Sequence, residues 1–380
     1  VGPHGAFKAG PVPADQLGVT EQPQSVVPLL HALAQAGGSD LHVKVGSEPR
    51  VRVDGRLRRL QVPALTPRDT ANMLDEVLPP ELAEEFTHTH EADFAFSLSG
   101  VGRFRVNAYQ ARGTYGLVFR LVGMGAQSLQ ELGLPEVLGE LALEPRGLVL
   151  VTGPTGSGKT TTLASMIDLI NTVREANIVT IEDPIEVLHQ DKRGIISQRE
   201  IRQDTADFTV ALRAALRQDP DVIFVGEMRD VETVRAALSA AETGHLVLST
   251  LHTIDAAESV NRIIDFFPPH EQQQIRVALA QALRGIVSQR LVRRADGRGR
   301  TVVVEVLVNT GRTAEAIVDP SSTEPLLDLI KQGSYYKMQT FDQHLVRLVG
   351  DGEVTYEEAL AVATNPQDLT VELRAVGLIA

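Results

Sequence analysis

Eight consecutive residues, Gly153-Pro154-Thr155-Gly156-Ser157-Gly158-Lys159-Thr160, keep the spacing G-x-x-x-x-G-K-[ST], and the apolar run Gly147-Leu148-Val149-Leu150-Val151-Thr152 leads straight into them. Glycines let consecutive backbone N–H groups turn inward around phosphate oxygens with no Cβ in the way. Lys159 can then reach the β- and γ-phosphates, and Thr160 offers a hydroxyl to Mg2+. The helix expected from Thr161 to Ile170 aims the positive end of its dipole at the anion. This pattern predicts binding of a nucleoside triphosphate with Mg2+.

Acidic residues follow where such a site needs them. Glu182-Asp183-Pro184-Ile185-Glu186 ends the apolar run Ile178–Ile181, which puts carboxylates at the carboxyl edge of a sheet, where open α/β folds bind ligands. One of them can orient an attacking water. Asp221-Val222-Ile223-Phe224-Val225-Gly226-Glu227 repeats the arrangement, so Glu227 is expected in the Mg2+ shell together with Thr160, directly or through water. Ser249-Thr250-Leu251-His252-Thr253 closes the next strand and brings His252 to the same edge, as a sensor of the γ-phosphate or of a neighbouring subunit. A phosphoryl transition state also needs cations at its equatorial oxygens, and near this edge the nucleotide-binding part offers only Arg229. Arg103, Arg105, Arg112 and Arg120 cluster earlier in the chain, which makes Arg105 and Arg120 candidate arginine fingers from this or an adjacent subunit.

The elements that must position these groups read as follows. A helix is expected over 26–36, paired strands at 39–45 and 50–53, helices over 67–78 and 80–88, and strands at 93–98, 102–110 and 114–122: a small α+β domain. A helical connector over 128–144 leads to alternating strands and helices, which specify a mostly parallel sheet with helices on both faces. A long amphipathic helix over 270–290 and a strand at 302–308 follow, then a largely helical remainder. The expected domains are a flexible leader over 1–24, an N-terminal domain over 25–123, a linker over 124–145, a nucleotide domain over 146–320 and a C-terminal helical region over 321–380.

Composition narrows the function. The chain has 380 residues, 43% of them hydrophobic, a formal net charge of −13, no cysteine and no tryptophan. That size and apolar content suit two or three buried cores, and zero cysteines leave no disulfide or thiolate metal site, in keeping with a cytoplasmic setting. No secretory signal and no membrane-spanning run are read from the sequence. The acidic balance and only 4% aromatic residues speak against nucleic acid as a partner. Two other classes stay open on these residues: a nucleic-acid translocase built on the same core, and a nucleotide-gated scaffold without useful turnover.

Together these motifs resemble the type II/IV secretion traffic ATPases, and within them the retraction branch of the type IV pilus motors, with some features of the PilU-like branch. Glu242-Thr243-Gly244-His245, Ser39-Asp40-Leu41-His42 and Gly102-Arg103-Phe104-Arg105-Val106-Asn107 belong to the likeness, which spans about residues 25 to 350. The resemblance implies an α/β fold with a PAS-like α+β N-terminal domain, a RecA-like ATPase core and a C-terminal helical segment. It also implies a homohexamer that binds ATP between subunits at the cytoplasmic face of the inner membrane, turns a platform protein there and powers pilus retraction. Glu186 then matches the general base, Glu227 the Walker B acid, His252 the histidine of the His box, and Arg105, Arg112 and Arg120 the trans-acting arginines. Extension ATPases usually carry a four-cysteine zinc site, so the absence of cysteine favours retraction. Pro325-Leu326-Leu327-Asp328-Leu329-Ile330 departs from the retraction signature, with Leu327 in place of its arginine. Pilus extension or type II secretion remains the alternative.

Overall fold

The computed structural model describes residues 24–321 and 324–379; the expected leader therefore lies, apart from its last residue, outside the described residues. The chain divides into two compact units between Met124 and Gly125.

The first unit is an antiparallel sheet with helices packed on one face. Its elements are α1 (Val27–Gln35), β1 (Asp40–Lys44), β2 (Arg50–Val53), β3 (Arg56–Arg59), α2 (Pro67–Val77), α3 (Ala83–Thr89), β4 (Glu91–Leu98), β5 (Gly102–Ala111) and β6 (Thr114–Leu121). The strand order is β3-β2-β1-β6-β5-β4. Alternation decides the faces: Leu41, Val43, Val51, Phe104, Val106, Leu117 and Phe119 point into one core with Leu29, Leu30 and Leu33 of α1 and Met73 of α2. Pro67 at the first turn and a capping box between Thr66 and Asp69 fix the start of α2. The alternation in the sequence stops at Val53, whereas Asp54 and Gly55, both at positive φ, turn the chain into β3. β3 escapes pattern reading because Arg56-Leu57-Arg58-Arg59 has too few apolar residues to alternate, as suits an edge strand. Arg112 and Gly113 make a second turn of the same kind, at φ 53° and 75°, between β5 and β6.

The second unit is built on a seven-stranded sheet. Its strands are β7 (Gly147–Thr152), β8 (Asn177–Glu182), β9 (Ile195–Glu200), β10 (Val222–Val225), β11 (Leu246–Leu251), β12 (Leu283–Arg293) and β13 (Arg300–Val308). They lie in the order β9-β8-β10-β11-β7-β12-β13, and only the last pair is antiparallel. β7 and β11 are buried along their whole length, as a sheet covered on both faces requires. Helices α4 (Val137–Ala142), α5 (Lys159–Val173), α6 (Phe208–Ala215), α7 (Val231–Glu242), α8 (Ala256–Asp265), α9 (Pro269–Ala282), α10 (Gly311–Val318) and α11 (Leu326–Gln332) pack about it. Asp207, Asp230 and Asp255 each accept a backbone N–H at the start of α6, α7 and α8.

Two expected elements differ, the first being the helical connector expected over 128–144, which is an α-helix only over Val137–Ala142. The helix expected over 270–290 ends at Ala282, and the chain runs on as strand β12 beside the phosphate-loop strand, with Ile286 opposite Leu150 and Ser288 opposite Thr152. Ile286, Val287 and Val292 are β-branched, and Gly285 lies where a Cβ would meet the Leu141 side chain at 2.8 Å and the Leu307 carbonyl at 2.9 Å. With Arg284, Ser288, Gln289 and Arg290 interspersed among its apolar residues, β12 shows neither a period-two alternation nor a continuous apolar run. β9, absent from the sequence reading, is hidden for another reason: Ile195-Ile196-Ser197-Gln198-Arg199-Glu200 is polar and partly exposed at the sheet edge.

The C-terminal helices α12 (Phe341–Gly350), α13 (Tyr356–Val362) and α14 (Pro366–Ala375) form a core of their own against Val292 and Val303. They also finish the sheet. The Val304 N–H donates to His344 Nδ1 at 3.0 Å, and the Val306 N–H donates to the Gln339 carbonyl at 2.8 Å. Burial and the neighbouring Arg347 hold His344 down to about 4, so the ring stays a neutral acceptor.

Glu305, also on β13, makes a testable case. Its buried carboxylate accepts the Ala256 N–H at 2.9 Å, and burial raises it from 4.5 to about 7. The folded protein thus holds a proton between about pH 4.5 and 7 that the unfolded chain has released. This contribution is fully present below the lower value and is lost as pH rises through the upper one. Glu305→Gln keeps an acceptor and removes the titration. Melting curves should find the variant more stable than the parent at about pH 8, by up to roughly 3 kcal/mol, and level with it near the acid end. Parallel profiles across that range would refute the assignment.

Candidate nucleotide site

The loop after β7 is shaped by three glycines at positive φ: Gly153 at 141°, Gly156 at 79° and Gly158 at 94°. A Cβ on Gly153 would come within 2.5 Å of the Gln289 carbonyl and 2.6 Å of Ser157 Oγ, so the close approach of loop to β12 requires glycine there. Lys159 turns back over the loop, and its amine donates to the carbonyls of Gly153 at 2.7 Å and Pro154 at 3.1 Å. Burial lowers its pKa, while the carboxylates of Glu227 and Glu186 act in the opposite direction. The helix that follows has no acidic side chain in its first turn, where Lys159, Thr160 and Thr161 stand, so its N–H groups keep their attraction for an anion. Ser157 Oγ is buried and, among the described residues, has no partner. These features fit a phosphate group. A groove of about 450 Å3 continues from Pro154–Ser157 along Arg290, Leu291, Arg300 and Val362.

Beneath the loop runs a chain of hydroxyl and amide groups that sequence reasoning did not reach. Thr152 Oγ1 donates to Ser288 Oγ at 2.9 Å, and Gln289 Nε2 donates to Thr162 Oγ1 at 3.0 Å. Both partners on the far side come from β12, which reads as helix in the sequence. The signal that could have found them is the pair Ser288-Gln289 set between Ile286-Val287 and the segment Arg290-Leu291-Val292.

The carboxyl edge of the sheet gathers the acidic groups. Glu227 takes a salt bridge from Arg229 Nη2 at 2.7 Å and lies 3.3 Å from His252 Nε2. Its burial works to raise the carboxyl, but the Arg229 hydrogen bond and the His252 charge outweigh it and hold the group below the usual carboxylate range. Glu182 behaves differently. It is buried, its Oε1 accepts from Thr180 Oγ1 at 2.7 Å and Gln198 Nε2 at 3.1 Å, and desolvation pushes its carboxyl up. Glu186 is exposed on the loop that follows, while the neighbouring Ile185 N–H is anchored on Glu200 Oε2 at 3.1 Å. Lys159, Glu186, Glu227 and His252 thus come together at one edge, with Thr160 and Thr161 at the helix start. Arg105, Arg112 and Arg120 belong to the first unit: Arg105 and Arg120 are opposite each other on β5 and β6, and Arg112 is at the turn between them.

Comparison with known proteins agrees with this construction. The family model described as Type II/IV secretion system protein matches residues 24–361. The type IV pilus retraction ATPase PilT of Pseudomonas aeruginosa is 42% identical over 343 residues, covering 90% of this chain and 99% of that protein. The type IV pilus ATPase PilU of the same organism is 43% identical, covering 91% of this chain and 90% of PilU. A crystal structure of the pilus retraction motor PilT with bound ADP superposes with a TM-score of 0.81 at 42% identity, over 91% of this chain and 99% of that one. With a phosphate loop, an acidic sheet edge and a family match across both units, the chain belongs to the Type II/IV secretion system protein family.

Proposed function

We propose that the protein is an ATP-hydrolysing motor of type IV pilus retraction. The observation that carries this reading is the convergence of Lys159, Glu227 and Glu186 at the mouth of a formed phosphate loop, in a chain similar to PilT along nearly its whole length. ATP sits with its phosphates in the cradle of Gly153 to Thr161. Lys159 leaves the loop carbonyls for the β- and γ-phosphate oxygens. Glu186, exposed at this edge, aligns the attacking water and accepts its proton. Thr160 and Glu227, directly or through water, would hold Mg2+, which would supply positive charge beside the phosphates. His252 shares Glu227 with Arg229 and reports whether that carboxylate is engaged.

Transition-state charge needs further cations, and Arg105, Arg120 and Arg112 supply them from the N-terminal domain of a neighbouring subunit in a homohexamer. Loss of the γ-phosphate releases those contacts, and the chain near Met124 and Gly125 acts as a hinge; the rest of the expected 124–145 linker does not, since Val137, Leu138 and Leu141 pack into the second unit's core. Around a ring this turns a platform protein at the cytoplasmic face of the inner membrane. Among the described residues no helix is long and apolar enough to cross a membrane. Deleting the gene in its host and imaging the cells tests the reading. Excess surface pili with lost twitching are expected; bald cells would assign the motor to extension, and unchanged pili would remove it from the pilus altogether.

A further inference from the structure

One row of side chains crosses the first unit's sheet on the face away from its core. Asp40 is opposite Arg52 on β2 and Arg120 on β6, and Arg120 is opposite Arg105 on β5. Directly opposed residues share a face with Cβ atoms about 5 Å apart, and like charges so placed repel. The row therefore holds three guanidinium groups and a single carboxylate. Arg120 Nε donates to Asp40 Oδ1 at 2.8 Å, Ser39 Oγ donates to Asp40 Oδ2 at 2.8 Å, and Arg52 Nε stands 3.7 Å from the same oxygen. Exposure separates the two partners: the Asp40 side chain is 6% exposed and the Arg120 side chain 67%.

A carboxylate this buried is a fixed anchor. Burial works to raise it, yet the hydrogen bonds from Arg120 and Ser39 and the Arg120 charge hold it below its ordinary value, so it stays ionised. Arg120 is gripped at Nε, the root of its fork. Among the described residues its two Nη groups have no partner, and they form the bidentate end that suits phosphate oxygens.

We infer that Asp40 is a positioning residue: it anchors Arg120 by Nε so that the Nη pair is presented to the phosphoryl oxygens of a bound triphosphate, and its charge lets Arg105 and Arg120 stand side by side. This rests on the proposed role of Arg120 as a trans-acting arginine. A lysine cannot serve both ends, since its one ammonium would be consumed by Asp40.

Steady-state phosphate release by the full-length protein, with ATP concentration varied, tests the inference on Asp40→Ala, Arg120→Ala, Arg120→Lys and the Asp40→Ala/Arg120→Ala pair. Asp40→Ala and Arg120→Ala should each lower kcat about 10- to 100-fold with KM little changed, and the pair should be no slower than the worse single variant. Arg120→Lys should be as slow as Arg120→Ala, which keeps the test alive if Asp40→Ala folds poorly. Additive losses in the pair, a slow Arg120→Ala beside a fast Asp40→Ala, or an active Arg120→Lys would each overturn the role of Asp40. Full-speed turnover by Arg120→Ala would instead remove the underlying reading of Arg120, and the inference with it.

Discussion

Lys159→Ala should cut steady-state ATP turnover about 100- to 1,000-fold, the loss typical when a preorganised donor to developing charge is removed. The amine is buried against Gly153 and Pro154 with Glu227 and Glu186 nearby, so no other cation can take its place from within this unit's loop. Truncation also strands the two carbonyls. That adds about 1–3 kcal/mol of destabilisation, which a thermal melt separates from the kinetic effect. Turnover within a few fold of the parent, in a variant that melts normally, would mean that the loop does not bind the reacting phosphates.

Glu186→Gln makes the second large change and a different one. An amide can still hydrogen-bond to water but cannot accept its proton, so the variant should bind ATP with near-parental affinity and hydrolyse it about 100- to 10,000-fold more slowly. Glu182→Gln is the comparison that gives this meaning. The Glu182 carboxyl is buried and pushed up, and it is already committed to Thr180 and Gln198, so an amide there should leave turnover within a few fold. Equilibrium binding of a fluorescent ATP analogue, read beside phosphate release, checks both. Fast hydrolysis by Glu186→Gln would strike Glu186 from its role, and a dead Glu182→Gln would move the role to Glu182.

What the sequence disclosed depends on how local each constraint is. Gly153 to Thr160 could be read because backbone φ, steric clearance and phosphate chemistry all bear on eight adjacent residues. Glu227 and His252 were reachable because both follow apolar runs that end at the same sheet edge. β12 was not, since the strands that stabilise it, β7 and β13, lie outside its immediate sequence and its own mixture of apolar and polar residues suits either structure. For the same reason Ser288 and Gln289 stayed out of view under the loop. The Asp40–Arg120 anchor was hidden because only the pairing of β1 with β6 brings together residues that are 80 positions apart.

The two rims of the large sheet share one feature. On β13 the outward N–H groups of Val304 and Val306 are taken by His344 and the Gln339 carbonyl; on β9 those of Ile196 and Glu200 are taken by the carboxylates of Asp191 and Asp204. Groups spoken for in this way cannot template another chain. Copies of this protein that gather at high local concentration are thereby steered away from fibre-like polymerisation through sheet continuation, and left to associate through side-chain surfaces, which can part and re-form with every turnover.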